Sequence, residues 1–142
     1  MGLDTSHGCW HGAYSAFMRW RCAVAKAAGF PPLQAMQGFF DPASVGDFDR
    51  LPWSLRSIVE EFPLPWEPHK DDPLTVLLSH SDCDGSIASA DCGPIADRLE
   101  AILPKLPTGD GGGHIGNWRD KTQTFIDGLR AAAAAGEDVR FH

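Results

Sequence analysis

Two stretches of this chain carry apolar residues at helical spacing, and each stops at a glycine. In the first, Phe17, Trp20, Val24 and Ala27 recur every three or four residues over 14–28. A period near 3.6 puts them on one stripe, which must be buried against another element. Ala28-Gly29 followed by Pro31-Pro32 ends that helix. In the second, Trp118, Thr122, Phe125, Ile126 and Leu129 share a face over about 118–135, and Gly136 ends it. A third helix is expected over about 92–103, with Asp91 as N-cap and Pro94 in its first turn. Its inward stripe is Ile95, Leu99, Ile102 and Leu103.

The remaining segments are shorter and less periodic. Residues 1–12 are polar and rich in Gly and His, which reads as a loop. Residues 30–53 mix aromatics with turn residues and carry no clean period. A short helix fits 54–62 with Ser54 as cap, and Pro63, Pro65 and Pro68 then force an extended connection. Leu74 to Ser79 reads as a buried strand between Pro73 and an Asp-Gly turn, with Val139 to Phe141 as a final strand beside it. Residues 107–117, PTGDGGGHIGN, read as a flexible loop. The expectation is an α+β single domain, about three main helices on a short two- or three-stranded sheet.

Composition narrows the function classes. A net charge of −7 disfavours generic binding to nucleic-acid phosphates. Cys9, Cys22, Cys83 and Cys92 are too few for a disulfide framework in 142 residues. The start MGLDTSHGCW lacks a basic region followed by an apolar one, and the longest fully apolar run is the alanines 131–135. A cytoplasmic protein with reduced thiols and no membrane partner is therefore expected.

Chemistry concentrates at His80-Ser81-Asp82-Cys83-Asp84-Gly85, followed by Asp91-Cys92. Oxygen and nitrogen donors on one short loop make a candidate polar site. With Gly85 at the sixth position of a calcium-type loop, Asp82, Asp84 and Asp91 fall at the third, fifth and twelfth. His80 stands where that loop needs a carboxylate, so His80, Asp82, Asp84 and Asp91 suit Zn²⁺, Mn²⁺ or Fe²⁺ better than Ca²⁺. The same loop is also explained without any ligand, as a turn with a capping aspartate. His7-x-Cys9-x-His11 is a second ligand set that Cys83 or His80 could complete. Cys83 lies three residues from His80, and Cys92 lies near a helix N-terminus, which makes both candidate nucleophiles.

Arginines offer a different chemistry. Ser15 opens the first helix, and Arg19 and Arg21 lie about 200° apart on it, so at most one faces a given pocket. Arg98 and Arg130 sit beside the apolar stripes of their helices. A cleft shared by Ser15, Arg19, His80, Asp82, Asp84 and Arg98 would hold a small anionic ligand.

Two resemblances bear on these residues. His80, Asp82, Asp84 and Gly85 resemble the first motif of DHH-type phosphoesterases, in which aspartates hold metals that activate water. The later Asp-His-His motif of that family is absent, and only 57 residues follow Gly85. The His80–Gly85 string, with Asp91-Cys92, Ile95-Ala96-Asp97-Arg98-Leu99, Phe125-Ile126-x-Gly128-Leu129 and Val139-x-Phe141-His142, resembles a family of small phage and bacterial proteins. Ser15-x-Phe17 with a following arginine belongs to the same set, and residues 30–70 contribute nothing to it. The resemblance implies a phage setting and no particular reaction. It leads to the expectation of a counter-defence protein that sequesters a nucleotide-derived signal in the host cytoplasm. The alternatives are a metal-dependent hydrolase built on His80, Asp82 and Asp84, and a structural interaction protein.

Overall fold

Backbone chemistry at the helix ends explains why two helices fall where their patterns place them. The computed structural model describes residues 2–39, 63–113 and 115–142. Helix α1 spans Tyr14–Ala28 and closes on Gly29 at φ 83°. Gly29 N–H donates to Lys26 O and Phe30 N–H to Ala25 O, the paired bonds of a Schellman cap. The helix Trp118–Ala135 closes the same way on Gly136 at φ 66°, with Glu137 N–H donating to Ala132 O. At its other end the Asn117 side chain accepts from the N–H groups of Arg119 and Asp120.

Leu74–Leu78 is not a strand but a short helix, α2. Asp72 Oδ1 accepts from Leu74 N–H at 2.9 Å, and Pro73 brings its fixed φ to the helix start. Leu74, Leu77 and Leu78 are buried and Val76 is exposed, which is helical spacing rather than alternation. The next helix, α3, spans Ser89–Ile102, so it starts before the expected cap, and Asp91 sits inside its first turn. Its leading N–H, that of Ser89, is capped by Asp138 Oδ1 at 2.9 Å, from the far end of the chain. Trp118–Ala135 is thus α4.

The N-terminal segment is not a loop. Strand β1 (Gly2–Asp4) pairs antiparallel with β2 (His11–Ala13), and Leu3 faces Gly12 across the register. Strand β3 (Ser86–Ile87) pairs antiparallel with β4 (Val139–Arg140). The C-terminal strand therefore exists, but its partner is the segment after the Asp-Gly turn rather than 74–79. Beyond β4, Phe141 bridges Thr5, and Asp4 and His142 exchange backbone bonds at 3.0 and 2.9 Å. The last residues thus tie the two small sheets together. The expected helix 54–62, and the part of 30–53 beyond Phe39, lie outside the described residues.

Among the described residues, three main helices and two two-stranded sheets enclose an aromatic core, an α+β arrangement as expected. Trp10, Phe17, Trp20 and Phe125 are all buried, with ring centroids 4.7 Å apart for Trp20–Phe125 and 5.1 Å for Trp10–Phe17. The stripe of α3 (Cys92, Ile95, Ala96, Leu99, Ile102) packs against Phe125, Ile126, Leu129 and Ala132 of α4. Gly128 lets the 7–9 segment lie directly on the α4 backbone, since an added Cβ would stand 2.8 Å from His7 O. No helix among the described residues is long and apolar enough to cross a membrane.

Cys9 is buried where that segment meets α4. Burial pushes its thiol up to about 12, partly opposed by a hydrogen bond to Thr5. The unfolded chain ionises this thiol above about pH 9, the folded chain only near 12, so the stability it carries is full below pH 9 and lost as pH rises towards 12. Urea midpoints are expected to fall between those limits, and Cys9→Ala should fall less steeply. Equal slopes for both proteins would refute this.

Candidate functional site

The functional question turns on which arginine of α1 faces the 80–85 loop. It is Arg21. Phe17, Trp20, Arg21 and Val24 fall at i, i+3, i+4 and i+7, so an arginine occupies a core position of the stripe and is 1 % exposed. Its Nη1 donates to His80 O at 2.6 Å and Leu78 O at 3.3 Å, carbonyls at and just beyond the C-terminus of α2. The guanidinium carbon lies 4.5 Å from the Phe17 ring centroid and 5.0 Å from that of Phe39. Among the described residues, Nη2 has only the Met18 sulfur at 3.9 Å, and the buried Nε has no hydrogen-bond partner. Burial lowers the guanidinium to about 10, and the charge of Asp82 works against that shift. Arg21 stays cationic at neutral pH with donor capacity left over.

That capacity borders a groove of about 320 Å³ lined by Met18, Arg21, Gly38, Phe39 and Ser79 to Asp82. The loop's shape is set by His80 and Gly85. His80 Nδ1 lies 2.8 Å from Ser81 O and Nε2 lies 3.0 Å from Ser86 O, while the ring packs 4.2 Å from Phe141. Gly85, at φ 85°, leaves room for that ring, since a Cβ would come within 3.3 Å of it. Its carbonyl accepts from Phe141 N–H at 2.9 Å, which anchors the turn to the C-terminus.

This geometry does not assemble the expected metal set of His80, Asp82, Asp84 and Asp91. Both His80 ring nitrogens lie against backbone carbonyls rather than towards the aspartates, Asp84 is exposed, and Asp91 lies in α3. Among the described residues no three His, Cys, Asp or Glu side chains converge as a metal group would require. His7, Cys9 and His11 diverge too. His7 turns to Glu137, Cys9 enters the core, and His11 lies exposed 3.6 Å from Asp4.

The expected anion cleft is likewise rearranged. His80 and Asp82 line the groove, whereas Arg19 is exposed and donates to Gly111 O. Arg98 pairs with Asp72 at 3.3 Å and reaches Ala28 O, joining α3 to the start of α2 and the end of α1. Arg130 pairs with Asp97 and Glu100, and Ser15 is exposed at the start of α1. Cys92 is fully buried, and burial pushes its thiol up, which opposes the helix-terminus effect expected for a nucleophile. Cys83 is exposed, with Ser81 Oγ 3.5 Å from its sulfur.

A second groove of about 400 Å³ lies between the end of α1 and Leu33–Gln34. Its lining is mostly apolar, with Lys26 as the one charged residue among those described, so it lacks the mixed donor set of the Arg21 groove. No family model matches this chain, and no curated protein or solved structure matches it, so the resemblance to phage and bacterial proteins rests on the motif residues alone.

Proposed function

We propose that this protein binds a small nucleotide-like anion in the Arg21 groove and holds it without chemical change. The observation that carries the reading is Arg21, a buried guanidinium beside an open groove whose Nε has no partner, and whose Nη2 has only the Met18 sulfur, among the described residues. Phosphate or carboxylate oxygens are the natural acceptors for such donors. Phe39 offers a ring face for a base, and the Asp82 carboxylate accepts from ribose hydroxyls or an exocyclic amine. A groove of about 320 Å³ suits one mononucleotide unit rather than a nucleic-acid chain, in keeping with the net charge of −7. Sequestration, rather than turnover, fits a site at which no three metal-ligating side chains converge among the described residues.

The test uses AMP, ADP-ribose and cyclic mononucleotides as probes, incubated with excess protein. Depletion from the filtrate, and intact recovery after heat denaturation, is the expected result. Asp82→Ala should weaken binding by roughly 1.5–3 kcal/mol at temperatures where the fold persists by circular dichroism, and Arg19→Ala should change nothing. Failure to deplete any probe, or recovery of a cleaved product, overturns the reading.

A further inference from the structure

Ser6, His7 and Glu137 are brought together although 130 residues separate the last two. Ser6 Oγ lies 2.9 Å from His7 Nδ1, and His7 Nε2 lies 3.3 Å from Glu137 Oε1. One tautomer satisfies the whole chain of contacts. With the proton on Nε2, that N–H donates to the Glu137 carboxylate and Nδ1 accepts from the Ser6 hydroxyl. Ser6 Oγ in turn accepts from Arg140 N–H at 2.8 Å, which orients its hydroxyl towards the imidazole. We propose that Ser6, His7 and Glu137 form a nucleophile–base–orienter relay for acyl transfer from small carboxylic esters.

Three further observations fit that role. The residues open onto a polar cavity of about 380 Å³ lined also by Gly136, Asp138 and Arg140. His7 is the one non-glycine residue with positive φ among those described, at φ 62°, ψ 13°, a conformation that costs energy and recurs where side-chain direction matters. Arg140 lines the same cavity, and its guanidinium has no hydrogen-bond or ionic partner among the described residues, so it can face the negative charge of a tetrahedral intermediate. The surrounding fold holds the parts in place. The Schellman cap of α4 sets Glu137, the cap on Ser89 engages Asp138, and Gly128 seats the 7–9 segment.

The reaction balances with water as the only co-reactant. Ser6 Oγ attacks the ester carbonyl as its proton passes to His7 Nδ1. The carbon–oxygen bond to the alcohol then breaks, and the alcohol leaves with that proton, giving acyl-Ser6. Water next loses a proton to His7 and attacks the acyl carbon, and Ser6 departs with the proton, releasing the carboxylic acid.

The experiment is covalent labelling of the full chain by a fluorophosphonate, read by peptide mass spectrometry, alongside hydrolysis of p-nitrophenyl acetate. Wild type should carry the adduct on Ser6. His7→Asn keeps a residue that tolerates the left-handed backbone while removing the base, and should slow labelling by about 100-fold or more at an unchanged melting temperature. Glu137 has a side chain 64 % exposed, so Glu137→Gln should cost only about fivefold. An unlabelled Ser6 in wild type, or labelling that His7→Asn leaves undiminished, overturns the proposal.

Discussion

Replacing Trp20 with alanine should destabilise the fold by about 3–5 kcal/mol, a large share of the 5–15 kcal/mol typical of a domain. Trp20 is 0 % exposed and stands where α1 meets α4. It lies 4.7 Å from Phe125, 5.5 Å from Trp10 and 5.9 Å from Phe17 between ring centroids, so its loss leaves a cavity bordered by rigid aromatics that cannot collapse. The indole N–H also donates to Thr122 Oγ1 at 2.9 Å. Thr122 keeps its own bond to Trp118 O, so the hydroxyl is not orphaned by the change. Most of the loss is therefore packing, and Trp20→Phe should recover more than half of it. Urea denaturation of both variants checks this. A Trp20→Ala loss below about 1 kcal/mol would mean that these aromatics do not form a common core.

The same packing explains what the sequence made legible. Helices α1 and α4 lie where the pattern puts them, because stripe and glycine cap mark the same boundaries. The 74–78 run misleads because five residues can satisfy either period. The Asp72 side chain and Pro73 decide it, both just outside the apolar run. Strands β1 and β2 carry no alternation to detect. They are three residues each, and much of their environment comes from the far end of the chain through the Asp4–His142 and Thr5–Phe141 contacts. At the candidate site, the loop 80–85 and its glycine were readable, and so was the rule that only one of Arg19 and Arg21 could face a pocket. Polarity favours placing an arginine outside. The stripe itself held the contrary signal, since position 21 completes the spacing of 17, 20 and 24. The Ser6–His7–Glu137 cluster was not readable, because no local spacing reports a contact across 130 residues.

Gly128→Ala tests the link between this packing and the proposed relay. A methyl at position 128 would stand 2.5 Å from Cys9 Sγ, 2.8 Å from His7 O and 3.0 Å from Cys9 Cα. Two of those atoms are backbone, so the clash is not relieved by turning a side chain. Alanine favours the helix by about 1 kcal/mol over glycine, which offsets only part of the strain. A net loss of about 2 kcal/mol is expected, a fall of roughly 5–10 °C in melting temperature. The 7–9 segment must lift from α4, and His7 lifts with it while Glu137, fixed by the cap on Gly136, stays behind. Fluorophosphonate labelling of Ser6 should therefore fall in Gly128→Ala even at temperatures where the fold persists by circular dichroism. Gly93, also within a helix, has nothing within 4 Å of an added Cβ, so Gly93→Ala serves as the control that should melt no lower than wild type. A Gly128→Ala variant that melts with the control and labels at the wild-type rate would show that the 7–9 segment is not seated on α4. The relay would then lose the support that holds its base in place.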